Sequence, residues 1–231
     1  MLNGFNSSQF SVILNLENQG IAKALNQLTI AAQKDGYEWI LTLDQDSVSP
    51  SNIIDEFENY TAYQNVGMLC PVIYDRNKGE EIKAKEGCTE IDECITSGSL
   101  LNIEAWNNIG GFDENMFIDG VDFDICYRLR QSGYKILCIQ SVILLHELGR
   151  IEYHRFLFWR VLVKNHSAFR KYYIARNIIY TAKKRRSTLL VVKGLLQEIK
   201  MIGIVIFYEE DKLNKSRCIC RGIYDGFKGK V

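Results

Sequence analysis

Trp39-Ile40-Leu41-Thr42-Leu43-Asp44-Gln45-Asp46-Ser47 is an apolar run that ends abruptly in two carboxylates. Five apolar or β-branched residues in succession suit a strand buried on both faces, as in a sheet covered by helices. Upstream, Ile21, Ala24, Leu25, Leu28, Ala31 and Ala32 recur at helical spacing, and Gly36 stops that helix. Further upstream, Phe10 to Leu14 has the composition of a short strand, with the Asn18-Gln19-Gly20 turn after it. Strand, helix and buried strand in that order form a βαβ unit, so the expected class is α/β with a mostly parallel sheet flanked by helices.

The same alternation continues downstream. Ser49 and Pro50 have the chemistry of a helix start. Gly67 to Ile73, Ser99 to Asn102 and Lys135 to Leu145 read as further strands, and Val121 to Gln131 as a helix. The charged stretch from Asp75 to Glu93 has no clear period and suits a loop or small hairpin over a site. Beyond Arg150, apolar residues interleave with Arg155, Arg160 and Lys164, and Lys183-Lys184-Arg185-Arg186 precedes Leu189-Leu190-Val191-Val192. We expect amphipathic or very apolar helices there, docked on the core or lying on an anionic membrane surface. The expected division is a core over 1–150 and a basic helical tail over 151–231.

Composition narrows the function classes. The formal net charge of zero hides a split: through Gly149 there are nine Lys and Arg against 22 Asp and Glu, and from Arg150 onward 19 against six. An acidic half followed by a basic one points to a carboxylate-based site and an anion-seeking tail. The basic half lacks any standard nucleic-acid reader motif, and its cations alternate with bulky apolar side chains, so nucleic acid is not an expected partner. No run of roughly 18 uncharged apolar residues is present to span a bilayer. The seven cysteines lack framework spacing, and several sit in apolar runs, as reduced thiols of a cytosolic protein do.

Asp44 and Asp46 follow a strand, and ligands of open α/β sheets bind beyond the carboxyl ends of strands. With one residue between them, the pair can bracket a hard divalent cation and neutralise a diphosphate. A second acidic segment, Asp119-Gly120-Val121-Asp122-Phe123-Asp124, opens the helix that continues through Arg128. A carboxylate there, kept ionised by the helix dipole and raised in pKa by partial desolvation, suits a general base. Helix capping by Asp119 and plain solvation remain the competing explanation for this cluster. The apolar strand with Asp44-Gln45-Asp46-Ser47-Val48 also satisfies the pattern of haloacid-dehalogenase-type phosphatases, in which Asp44 would be a nucleophile; the residues downstream do not fit that family.

Taken together, these segments resemble glycosyltransferase family 2 of the GT-A fold. Asn18, Gly20 and Asn26, then Leu43-Asp44-Gln45-Asp46, Thr96-Ser97-Gly98-Ser99, Gly110-Gly111-Phe112-Asp113-Glu114, Val121-Asp122-Phe123-Asp124 with Arg128, and His146-Glu147-Leu148-Gly149 follow that family's order. Arg170, Tyr172, Tyr173, Arg176 and Asn177 are similar to a motif of its rhamnosyltransferase-like branch. The resemblance implies an inverting transferase, with Asp122 as catalytic base and Asp46, Asp44 and His146 around Mg²⁺ or Mn²⁺. It also implies that Asp44, Asn18, Gly20, Asn26, Ser97, Gly98, Asp119, Asp124 and Arg128 bind substrate. A dTDP- or UDP-sugar would be the donor, with rhamnose favoured. A glycan or polyprenyl-linked chain would be the acceptor, on the cytoplasmic face of the plasma membrane, and a homodimer is compatible.

Val121 replaces the acidic first residue of the family's usual pair. Leu2-Asn3-Gly4-Phe5 resembles the family's DNGS element with Leu2 in the aspartate's place, and the strand that normally precedes it has no counterpart in the sequence. The expectation is therefore an N-terminally truncated GT-A core with weak activity on its own, or an inactive relative that binds a membrane or a partner.

Overall fold

The computed structural model describes residues 10–75, 84–146, 152–156 and 159–229. Leu2 to Phe5, part of the Asp75 to Glu93 loop, and the Glu147-Leu148-Gly149 end of the histidine motif lie outside the described residues. Helix α1 (Ile21–Lys34) leads into β1 (Trp39–Thr42), α2 (Ile53–Thr61) and β2 (Val66–Asp75). Then come β3 (Cys88–Glu90), β4 (Ser99–Asn102), α3 (Ile103–Asn108), α4 (Val121–Gln131) and β5 (Lys135–His146). The remainder is a hairpin, β6 (Glu152–Phe156) with β7 (Trp159–Val163), and three helices: α5 (Ala168–Lys184), α6 (Thr188–Tyr208) and α7 (Lys212–Lys228).

The sheet order is β1-β4-β2-β5-β3. The α/β architecture matches expectation, but the sheet is mixed, not mostly parallel. Only β2 and β5 pair in parallel, while β4 runs against both β1 and β2, and β3 runs against β5. Because β4 is reversed between them, β1, β2 and β5 still point the same way. Their carboxyl ends, and the amino end of β4, therefore meet at one edge of the sheet. β1 is an edge strand of half-buried residues rather than a fully covered one.

Phe10 to Leu14 forms no strand. The segment runs back along α1 instead, where the side-chain amides of Asn15 and Gln27 exchange two hydrogen bonds at 2.9 and 3.0 Å. Leu14 and Leu16 are left exposed. Ser49 and Pro50 precede α2 by several residues, and Asn52 occupies its N-cap. The interleaved residues around 155–164 form the β6–β7 hairpin rather than a helix, with Arg155 opposite Arg160. Apolar residues broken by single basic ones suit a strand as well as a helix over so short a stretch, and the pairing of β6 with β7 decides for strands.

The main core lies between α1, α3, α4 and the sheet, around Leu25, Met68, Leu101, Trp106, Ile125 and Leu129. A second cluster joins α2 to the other face through Phe57, Leu69, Leu100 and Ile139. The helices after the hairpin have their own small cluster of Ala175, Val205 and Ile219.

Candidate functional site: a metal turn and a clamped acid

The turn after β1 is folded onto the end of β5. Val48 and Leu145 exchange backbone hydrogen bonds at 2.9 and 3.2 Å, an isolated antiparallel bridge that swings residues 44–48 over His146. One ligand atom from each of Asp44, Asp46 and His146 lies within 4.8 Å of the others. His146 Nδ1 is 3.5 Å from an Asp46 carboxylate oxygen and 2.9 Å from Ser47 Oγ. Two carboxylates and one imidazole on a mostly exposed turn fit Mg²⁺ or, with its nitrogen donor, Mn²⁺. Desolvation, and then the neighbouring Asp46, push the Asp44 carboxyl above its ordinary range, while His146 pulls it back. A cation between them would reverse that balance.

Beside this turn, Thr96-Ser97-Gly98 grips both acidic centres. Ser97 Oγ accepts the Asp44 backbone N–H at 3.0 Å and contacts Ser47 Oγ at 2.7 Å. Thr96 Oγ1 donates to Asp122 at 2.8 Å, and the Thr96 carbonyl accepts from Thr42 Oγ1 at 2.6 Å. Gly98 has φ 77° and donates its N–H to the Thr42 carbonyl at 2.7 Å; a Cβ there would lie 2.7 Å from Leu144 and 2.9 Å from Pro71. Only glycine fits that backbone and that space.

Asp122 sits in the first turn of α4, after the left-handed Gly120. Burial raises its pKa, with Asp44 and Asp119 adding repulsion; the Thr96 hydrogen bonds oppose the shift. The helix dipole acts in the ionising direction, against the rise that burial produces.

The loop before Asp122 is held from the distant α5. The Asn177 side-chain amide donates to the carbonyls of Met116, Ile118 and Asp119 at 2.9, 2.8 and 2.7 Å. Arg176 reaches the Asn115 carbonyl and bonds Asn177 Oδ1. Arg170 forms a bidentate pair with Asp119 at 2.8 and 3.0 Å. Tyr173 stacks on Phe117, ring centroids 4.9 Å apart. Phe117 and Asp119 have φ of 53° and 65°, positions that L-residues adopt only when their surroundings enforce them. The Arg170, Tyr173, Arg176, Asn177 pattern was visible in sequence, but its partners were not.

Other expected substrate-binding residues are engaged structurally. Asn18 Oδ1 accepts the Gly20 N–H at 2.9 Å, and the Ile21 N–H then meets the Phe117 carbonyl at 2.7 Å. A Cβ on Gly20 would come within 2.5 Å of that carbonyl. Asn26 is buried and uses its whole amide: it donates to the Phe112 carbonyl and Glu114, and accepts from Trp106 and the Phe112 N–H. Asp124 is buried in ion pairs with Arg128 at 2.7 Å and Lys184 at 3.1 Å. These five residues support the loop and α4. Ser47 and Thr96, which sequence reasoning passed over as site residues, make the contacts that join the two acidic centres. The haloacid-dehalogenase pattern gains nothing from the geometry: among the described residues no lysine is bonded to Asp44.

No known family's sequence model matches the chain. A curated relative, the dTDP-rhamnosyl transferase RfbF of Shigella flexneri, is 26% identical over 229 residues, which cover 92% of this chain and 76% of that relative. The solved structure of S. aureus TarS 1-349 in complex with UDP-GlcNAc matches with a TM-score of 0.55 at 11% identity, over 92% of this chain and 63% of the other. That of GalNAc-T7 with UDP, GalNAc and Mn2+ matches with a TM-score of 0.50 at 15% identity, over 73% of this chain and 35% of the other. The chain thus spans about a third of the latter structure and under two thirds of the former. The fold is that of the GT-A glycosyltransferases. Within that fold, the likeness to RfbF supports a resemblance to the rhamnosyltransferase-like branch of family 2.

Proposed function

We propose that the chain transfers rhamnose from dTDP-rhamnose, with inversion, to a hydroxyl of a glycan or polyprenyl-linked acceptor. The observation that carries the reading is the Thr96-Ser97 grip, which sets a raised-pKa carboxylate, Asp122, beside the Asp44-Asp46-His146 donor set. Asp122 takes the acceptor's hydroxyl proton as that oxygen attacks the anomeric carbon and the bond to the diphosphate breaks. Attack opposite the leaving group inverts the centre. Asp44, Asp46 and His146 would hold a divalent cation, which would supply the positive charge that a departing diphosphate needs. Thr96 orients Asp122 towards the acceptor, and the Asn177-clamped loop keeps it there. The core through about residue 150 then carries donor chemistry. The basic segment beyond it serves the acceptor side at an anionic membrane surface on the cytoplasmic face. The choice of donor is in keeping with a curated relative named as a dTDP-rhamnosyl transferase.

Calorimetry with dTDP, with and without Mn²⁺, tests this. Binding should require the ion, exceed that of UDP, and weaken by roughly tenfold or more in Asp46→Asn. Binding that is equally tight in the presence of a chelator would sink the metal assignment, and tighter UDP binding would sink the donor.

A further inference from the structure

Helix α6 is apolar on two opposite sides, and only one of them is covered by the described residues. Gly194 and Val205 face inward: a Cβ on Gly194 would lie 2.7 Å from Ile178, and Val205 packs with Ala175 and Ile219. On the far side Leu189, Val192, Leu196, Ile199 and Ile206 are exposed, Leu196 by 62% and Ile199 by 66%. Their spacing alternates three and four residues, with Gly203 filling the remaining place, and a Cβ added there would meet nothing within 4 Å. Such a repeat lays the side chains in one stripe along the helix, roughly 25 Å long at 1.5 Å per residue.

The charges beside the stripe say what covers it. Lys193 and Lys200 each directly follow a stripe residue and are exposed. The single acid of α6, Glu198, is fully buried on the other side. Lys183 and Arg186 ahead of the helix and Lys212 behind it are exposed as well. The complementary partner is therefore apolar at its centre and negative at its margins. A second copy of the same stripe fits poorly along its length, since antiparallel self-pairing sets Lys193 and Lys200 of the two copies against one another, with the exposed Glu210 and Asp211 only beyond the stripe's end. No helix among the described residues, α6 included, is long and apolar enough to cross a membrane, so contact with a bilayer would have to be along its surface.

We propose that α6 is a membrane-docking element: Leu189, Val192, Leu196, Ile199 and Ile206 enter the acyl boundary of an anionic lipid surface, and Lys193 and Lys200 reach its phosphates. This deepens the membrane setting proposed above by naming the element that makes the contact.

Co-sedimentation of the whole chain with phosphatidylglycerol–phosphatidylcholine vesicles, against phosphatidylcholine alone, tests it. The unaltered chain should prefer the anionic vesicles and keep part of its binding at high salt. Leu196→Gln with Ile199→Gln, at exposed sites, should leave circular dichroism unchanged and weaken binding by roughly tenfold or more. Lys193→Gln and Lys200→Gln should each cost roughly fivefold on anionic vesicles only. Gly203→Leu should tighten binding by completing the stripe. If the double glutamine variant binds like the unaltered chain, α6 is the wrong element although the membrane setting survives. If the unaltered chain binds neither vesicle, both readings fail. If light scattering shows a dimer that the double variant disperses, the stripe is a protein interface and the proposal is overturned.

Discussion

The two acidic regions of the site are built in opposite ways. The 44–48 turn is mostly exposed, with side-chain hydrogen bonds to Ser97 and His146 at its base. The 115–122 loop is held from α1 through Gly20 and Ile21, from β4's approach through Thr96, and from α5 through Arg170, Tyr173, Arg176 and Asn177. A cation can organise a loose turn when it arrives, because its own charge draws the carboxylates together. A base has no such help and must already be aimed before substrate binds. The contrast predicts that changes in the turn alter ion binding at little cost to stability, while changes in the loop alter rate and stability but not ion affinity.

The largest effect should come from Asp122→Asn, which keeps shape and removes the proton acceptor. Release of dTDP from dTDP-rhamnose with acceptor present should fall roughly 10²–10⁴-fold, with Mn²⁺ affinity unchanged. Since burial raises the Asp122 pKa, the acid limb of kcat/KM in the unaltered chain should lie above the ordinary carboxylate range, rising with pH as Asp122 ionises. The linkage has a definite sign: a folded pKa above the unfolded one stabilises the fold at low pH, and that contribution is lost as pH rises through the folded value. The asparagine variant should therefore melt at the same or a higher temperature near neutrality. A variant that keeps full rate, or a rate independent of pH through the acid range, would remove Asp122 from the mechanism.

Next in size is Asn177→Ala. It strips three carbonyls of their shared donor and leaves Arg176 without its side-chain acceptor, in buried or half-buried surroundings. Buried groups left unpaired cost about 1–3 kcal/mol each, and partial relaxation should bring the total to about 3 kcal/mol in denaturant unfolding. The remaining folded enzyme should show a lower kcat with Mn²⁺ affinity intact. Loss of ion binding in this variant would show that the two regions are coupled more tightly than their contacts indicate.

How much of this could be read beforehand varies by element. The β1 strand with its closing carboxylates, and α4 behind Gly120, were legible because apolar periodicity and a backbone breaker coincide there. Phe10 to Leu14 was misread because strand composition says nothing about whether a ladder partner exists, and Asn15 finds Gln27 on α1 instead. The 152–163 hairpin was misread because apolar and basic residues in close alternation fit either period over a short stretch. Asn26 resembles a donor-binding residue, yet its amide is saturated by Phe112, Glu114 and Trp106 from 80 or more residues away. The clamp by Asn177 depends on a comparable return of the chain. No local pattern encodes that return, although the spacing of Arg170, Tyr173, Arg176 and Asn177 marked the helix as unusual.

The smallest effect should come from Ser47→Ala, and it bears on the place of His146 in the donor set. Ser47 Oγ lies 2.9 Å from His146 Nδ1 and 2.7 Å from Ser97 Oγ, so it links the imidazole to the residue that also receives the Asp44 N–H. A histidine ligand needs its second ring nitrogen held by such a partner to keep its tautomer and orientation. Removing the hydroxyl should weaken Mn²⁺ by roughly tenfold and Mg²⁺ by less, because the harder ion depends less on a nitrogen donor. Melting temperature should hardly move, since Ser47 lies on the turn and not in the core. Titration of both ions against Ser47→Ala and His146→Ala separates the cases. Weakening in both variants makes His146 a ligand oriented by Ser47. Weakening in His146→Ala alone means that another group aims the ring. No change in either leaves the ion to Asp44 and Asp46, with His146 serving only to fasten the turn to the end of β5.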